Sequence, residues 1–185
     1  MDQQDGPPRA DAVDAIIEQW RREMPALDTL PMEVFGRIHR VSRAVGDAVA
    51  RVYARHGIGR GEFDVLAALR RAGEPYELAP GRIAATLMLT SGGMTGRVDR
   101  LERSGLVERL PDPHDRRGLR VRLTEAGRAA VEEAAEEGLR VQHRMLAGVP
   151  RERLEHINGL LRELHAAVHD DAARDDAGGA VGGSR

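Results

Sequence analysis

The sequence predicts a mainly α-helical chain carrying one small β-hairpin. Three observations predict it. Apolar residues recur at spacings of three or four along most of the chain. One short stretch, Leu119–Leu123, instead alternates Leu119, Val121 and Leu123 with Arg120 and Arg122. Three short helical segments run directly into that hairpin, with long helices on either side.

Residues 1–9 read as a disordered leader. Ala10–Arg22 reads as a short helix with Val13, Ile16, Ile17 and Trp20 on one face, ended by Pro25. Pro31 opens a second helix at the position proline favours. Phe35, Ile38, Val41, Val45, Val49 and Val52 line that helix to about Arg55, and Gly57–Gly61 breaks it. Glu62–Ala72 turns Phe63, Leu66 and Leu69 inward. Ala79–Leu87 follows with Ile83 and Leu87, then Ser91–Ser104, which Gly105 ends as a C-terminal cap. Leu106–Leu110 and Leu119–Leu123 read as two strands joined by the charged, turn-rich loop Pro111–Gly118. A long helix runs from Thr124 to about Leu146, Pro150 resets the chain, and a last helix covers Arg151 to about Val168. Asp170–Arg185 is acidic, then rich in Gly and Ser, and reads as disordered.

Three short helices and a hairpin make a winged helix-turn-helix. The long flanking helices are too apolar on one face to stand alone, which assigns them to a helical dimerisation lobe. The expected organisation is a leader (1–9), an added N-terminal helix with the first dimerisation helix (10–56), a winged lobe (57–123), C-terminal dimerisation helices (124–169) and a tail (170–185).

Composition narrows the function classes. Of 185 residues, 41% are hydrophobic but only 3% aromatic, so the core is aliphatic. There is no cysteine, which excludes disulfides, thiolate zinc sites and thiol nucleophiles. The first residues carry no apolar signal region, and no apolar run approaches the ~18 residues of a membrane span. A cytoplasmic protein without a membrane partner is expected. A Gly-rich phosphate loop, a His-Glu-x-x-His helix and a nucleophile elbow are all missing, so neither an enzyme nor a cofactor is expected. His165 and His169, four apart, could share a metal or be surface residues near a helix end. His39, on the long dimerisation helix, could titrate usefully or be an ordinary interface histidine.

The net charge is −2, yet the charge is uneven. Residues 1–28 hold seven acids and three arginines, whereas residues 91–122 hold eight arginines and five acids. Local charge governs docking on DNA more than the total does. On a helix over Ser91–Ser104, Met94, Val98 and Leu101 form an inward stripe. Gly92, Gly96, Asp99 and Arg103 face away, with Gly93, Thr95 and Arg100 at the sides. Three glycines disfavour a helix, and close approach to DNA is one reason to tolerate them. Ser91 and Thr95 can bond phosphates or bases, and Arg100 or Arg103 can reach phosphates or guanine. A solvated helix with a glycine-weakened start is the alternative. In the loop, Asp115 can hold one of the adjacent Arg116 and Arg117 while the other enters a minor groove. Taken alone, the loop would also serve as a charged solvent loop.

The run Ser91-Gly-Gly-Met-Thr-Gly-Arg-Val-Asp-Arg-Leu-Glu-Arg-Ser-Gly-Leu-Val-Glu-Arg109, followed by Asp112-Pro-His-Asp-Arg-Arg-Gly118 and Val121-Arg-Leu-Thr124, resembles the MarR (multiple antibiotic resistance regulator) family. The resemblance covers roughly Glu33 to His165. It implies a homodimer on double-stranded DNA at a palindromic operator, with recognition helices in successive major grooves and wing arginines in the minor groove. It makes Asp115 and Arg117 the structural pair of the wing and Arg116 a DNA contact. The DNA-binding set is then Ser91, Gly92, Gly93, Thr95, Arg100, Arg103, Asp115, Arg116 and Arg117. Gly96 departs from the larger polar or basic residue common in relatives, which puts one base contact in doubt.

The added first helix, with Trp20-Arg-Arg-Glu-Met-Pro-Ala-Leu-Asp28 and Gly61-Glu-Phe-Asp-Val-Leu-Ala-Ala-Leu-Arg70, resembles the urate-responsive branch of that family. The resemblance implies a ligand set of Trp20, Asp64, Arg97 and Arg109 for a small anionic effector such as urate. The chemistry is compatible. Trp20 offers a flat face and an N–H, Asp64 an acceptor or a partner for Arg97, and Arg97 lies about 60° off the inward stripe. The same residues would also serve as packing (Trp20), a structural ion pair (Asp64–Arg97) and a phosphate contact (Arg109). The expected activity is a repressor released by such an anion. The alternatives are a ligand-independent winged-helix DNA binder and a protein-interaction module.

Overall fold

The computed structural model describes residues 10–113, 115 and 118–179, with the side chains of Ser91 and residues 171–179 outside that description. The leader 1–9, His114, Arg116, Arg117 and residues 180–185 lie outside the described residues. Among those described, the fold is helical with one small antiparallel sheet, and no helix is long and apolar enough to cross a membrane.

The chain divides into two compact units, 1–142 and 143–185. The first begins with α1 (Ala12–Glu23), started by a capping box in which Asp11 accepts from Val13 and Asp14. α1 lies on α2 (Leu30–Arg55) through Val13 and Ile17, both buried, with Val13 seated against Gly36. Arg37 of α2 ties the cap down by pairing with Asp11 at 2.9 Å and with Asp14. Ile16 and Trp20, expected on the same inward face, are exposed instead. By helical geometry Ile16 lies about 60° from Val13, off the buried face, whereas Trp20 lies about 20° from Val13 and is left uncovered in the last turn of α1.

α3 (Arg60–Arg71), α4 (Pro80–Thr86) and α5 (Ser91–Arg103) follow, with β2 (Val107–Pro111) and β3 (Leu119–Leu123) after them. The core joins Val49, Val52 and Tyr53 of α2 to Val65, Leu66 and Leu69 of α3, Ile83 of α4 and Met94, Val98 and Leu101 of α5. Val107, Val121 and Leu123 of the sheet complete it, with Val131 and Ala134 of α6 (Glu125–Leu146). Tyr53 and Phe63 stack at 3.8 Å between ring centres, two of the few aromatic residues in an otherwise aliphatic core.

The sheet corrects the expected hairpin. It has three strands, in the order β1-β3-β2, because β1 (Glu77–Leu78) pairs antiparallel with β3. Two residues are too few to show alternation, so β1 left no periodic signal. β2 and β3 pair in one register, from Val107 opposite Leu123 to Pro111 opposite Leu119.

The junction between α5, the wing and α6 is tight. Gly105 ends α5 with φ +70°. The Thr124 amide donates to the Leu106 carbonyl at 3.1 Å, and the Thr124 hydroxyl donates to Gly105 O at 2.7 Å while accepting from the Gly127 amide at 3.0 Å. A Cβ on Gly127 would collide with that same Leu106 carbonyl.

The second unit contains the end of α6 and α7 (Arg151–Gly179). The helix continues to Gly179, past the end expected at about Val168. Ala172, Ala173 and Arg174 are good helix formers, so acidity alone does not stop the helix there. Ile157, Leu160, Leu161 and Val168 are exposed within this unit. His165 and His169 have ring centres 4.1 Å apart, and no cluster of three potential metal ligands exists among the described residues.

Gly127→Ala is expected to lower stability by about 1–3 kcal/mol, the usual cost of forcing an extra methyl into a filled space. Thermal melting measures it, and an unchanged midpoint would contradict the contact.

Candidate nucleic-acid interface and effector cleft

α5 presents two faces, as its sequence requires. Met94, Val98 and Leu101 are buried, while Gly92, Gly93, Thr95, Arg100 and Arg103 are exposed. Its start is capped by Thr90, whose hydroxyl accepts from the Gly93 amide at 3.3 Å. Thr90 was not among the expected site residues, although a Thr before a helix start is the ordinary signal for a cap. The backbone of Ser91 lies in the first turn, where amide groups point outward.

The wing is built on paired charges. Arg120 of β3 bonds Asp112 at 3.0 Å and Glu77 of β1 at 3.4 Å. Arg122 pairs at 2.9 Å with Glu108, its direct cross-strand partner. At the loop, the Asp112 amide donates to Gly118 O at 3.0 Å and the Gly118 amide to Asp115 O at 2.9 Å. Asp115 is exposed, whereas Arg116 and Arg117, the wing residues expected at DNA, lie outside the described residues.

The basic segment is therefore less free than its composition suggests. Of the six described arginines between residues 91 and 122, four are in ion pairs: Arg100 with Glu62, Arg109 with Asp99 and Glu102, Arg120 and Arg122 as above. Arg103 bonds the Asp99 carbonyl at 3.2 Å within its own helix.

The four expected effector residues are not drawn into one cluster by bonds. Arg97 reaches α3, where its Nη1 donates to Gly61 O at 3.2 Å. A Cβ on Gly61 would lie 2.6 Å from the guanidinium carbon, so this residue must be small for Arg97 to dock. Asp64, one turn along α3, feels Arg97, but Arg60 more strongly, and forms no direct ion pair with either. Burial pushes the Asp64 carboxyl above its ordinary value, and Arg60, Arg97 and Arg71 only partly offset this. Asp64 and Arg60 line a cleft of about 350 Å³ together with Ser42, Tyr53 and Gln142. Arg109 sits on the other side of α5, at a mostly apolar cleft of about 370 Å³ beside Pro80, Thr95 and Leu119. Trp20 is 39% exposed on α1, and no hydrogen bond or ion pair links it or Arg109 to Asp64 or Arg97 among the described residues.

A winged lobe with an outward, glycine-rich third helix and a wing of paired strands defines a helix-turn-helix DNA-binding regulator. Comparison with known proteins agrees. The family profile described as MarR family matches residues 56–118. Over 149 residues, 80% of this chain and 90% of the relative, the sequence is 38% identical to the HTH-type transcriptional regulator PecS of Dickeya dadantii. Sco5413, a MarR family transcriptional regulator from Streptomyces coelicolor, superposes with a TM-score of 0.65 at 30% identity, covering 76% of this chain and 97% of that one. A mutant MarR from E. coli complexed with operator DNA superposes at 0.64 with 25% identity, covering 78% and 96%. The chain belongs to the MarR family and is a DNA-binding transcriptional regulator, not an enzyme.

A folded carboxyl held above its ordinary value disfavours the fold wherever that group is ionised. The disadvantage is absent below the unfolded carboxylate's range and fully present above the folded value. Asp64→Asn should therefore melt higher than the native protein near about pH 7, with the gap closing toward about pH 4. A constant gap across that range would contradict the burial effect.

Proposed function

We propose that the protein is a homodimeric repressor that leaves a palindromic operator when urate, or a similar small planar anion, binds beside Asp64 and Arg97. The observation that carries this reading is Asp64 itself. It is a partly buried carboxylate that burial destabilises, it accepts no hydrogen bond among the described residues, and it lines an open cleft with Arg60. A partly buried carboxylate raised by burial in an open cleft is a candidate for function.

The reading assigns Asp64 as acceptor for ring N–H groups and Arg97 as a cation for the ligand's negative edge. Trp20, exposed on α1, supplies a flat apolar face. Arg109, held by Asp99 and Glu102 on the other side of α5, is left out of this ligand set. Arg97 also belongs to the recognition helix and rests on α3 through Gly61. An anion that draws Arg97 away from Gly61 would re-aim α5. Such a ligand dissociates DNA only if it favours the arrangement that DNA does not.

Dimerisation is supported by apolar side chains left uncovered in a single chain: Phe35 and Val41 on α2, and Leu160 and Leu161 on α7. A two-fold dimer sets its recognition helices about 34–36 Å apart to match successive major grooves. A small change in that spacing weakens operator binding.

Gel shifts with urate titration test the reading. The native protein should release operator, with Trp20, the only tryptophan, reporting ligand by fluorescence. Arg97→Ala should keep operator binding and lose the release. Normal release from that variant would contradict the role given to Arg97.

A further inference from the structure

Arg100 leaves α5 on the side that faces α3. Its Nε donates to Glu62 Oε1 at 2.6 Å, and its Nη2 lies 2.6 Å from the same oxygen. The two partners are not equivalent. The Glu62 side chain is only 15% exposed, against 55% for Arg100. The other carboxylate oxygen lies over Gly59, in the space a Cβ there would fill. Glu62 is thus a seated group, and Arg100 is the outer partner resting on it. Most surface ion pairs contribute little because two mobile chains must be ordered together. Here one of them is already in place.

The atoms used decide what remains available. A guanidinium carries five N–H donors in a fixed fork. Glu62 occupies the side edge, through Nε and one N–H of Nη2. The end edge, formed by Nη1 and the second N–H of Nη2, makes no hydrogen bond among the described residues. Nη1 lies 3.7 Å from the position of a Cβ on Gly96, so this end of the guanidinium rests beside a residue with no side chain to cover it. Two parallel donors at the end of a fixed side chain match the O6 and N7 acceptors of guanine in the major groove. An arginine free to swing instead closes on the nearest phosphate, which carries no sequence information.

We propose that Glu62 is a positioning residue for sequence reading: it holds Arg100 edge-outward, so that Arg100 reads a guanine rather than a phosphate. The inference rests on α5 being the helix that enters the major groove. The carboxylate has a second effect of the same sign. Its charge lowers the local attraction for phosphates, so it weakens binding to unrelated DNA while sharpening binding to the right site.

The test uses the full chain and an operator selected from a random duplex pool with the native protein. Native protein, Glu62→Gln, Glu62→Ala and Arg100→Ala are compared on that operator, on versions with each guanine replaced symmetrically in both half-sites, and on a random-sequence duplex. In the native protein, one guanine replacement should cost roughly tenfold to a hundredfold. Arg100→Ala should erase that dependence. Both Glu62 variants should reduce it to a few-fold while raising affinity for the random duplex, with thermal melts showing them folded. If Glu62 variants keep the full guanine dependence while Arg100→Ala loses it, the role of Glu62 is overturned and the placement of α5 stands. If Arg100→Ala changes no operator affinity, the placement of Arg100 at DNA is itself overturned. Equal losses on operator and random duplex in folded Glu62 variants would also overturn the proposal.

Discussion

The orientation of the recognition helix depends on its grip on the first turn of α3. Beneath, Met94, Val98 and Leu101 pack with Val65, Leu66 and Leu69 in the aliphatic core. At the rim, Arg97 bonds the Gly61 carbonyl and Arg100 bonds the Glu62 carboxylate. Two arginines three residues apart on α5 thus hold two adjacent residues of α3. The core alone sets how far α5 sits from α3. The rim bonds restrain its rotation and the direction its side chains take. Asp64 lies on the same turn, two residues beyond Glu62. The proposed effector chemistry and the proposed base-reading chemistry are therefore mechanically adjacent, which is what a regulator of DNA affinity requires.

The wing is constrained differently. Arg120 links β3 to β1 and to the start of the loop, and Arg122 crosses to Glu108 on β2. Arg109 binds β2 back to two acids of α5. Each of these pairs is partly exposed, so each is worth little singly. Together they join wing and recognition helix into one unit in which few of the described arginines are left uncommitted. Much of the positive charge counted in this segment thus serves internal architecture.

The elements legible in the sequence were those whose signals are local. The three-residue stripe of α5, the cap at Gly105 and the inward Val121 and Leu123 of β3 all arise within a few residues and appear in the structure, whereas Leu119, expected to alternate with them, is exposed. Signals that depend on partners were not legible. β1 is a strand only because β3 lies beside it. Trp20 and Ile16 looked inward because periodicity marks an apolar face without saying how much of it a neighbour covers. The pairing of Glu62 with Arg100 spans 38 residues and leaves no trace in either local sequence. Arg122 with Glu108 was partly recoverable, because the hairpin register places them opposite each other. The four effector residues could be named by resemblance, but the separation of Arg109 from Arg97 by the width of α5 follows only from tertiary packing.

In the proposed mechanism an anion at α3 re-aims the recognition helix. The distance between the two recognition helices of the dimer reads that movement. The chain has no cysteine, so Ser104→Cys at the end of α5 accepts a single spin label per subunit. Double electron–electron resonance would then be recorded with operator bound, and again after urate is added. Urate should shift the distance distribution by several ångströms as operator is released. Release of operator with an unchanged distribution would contradict it.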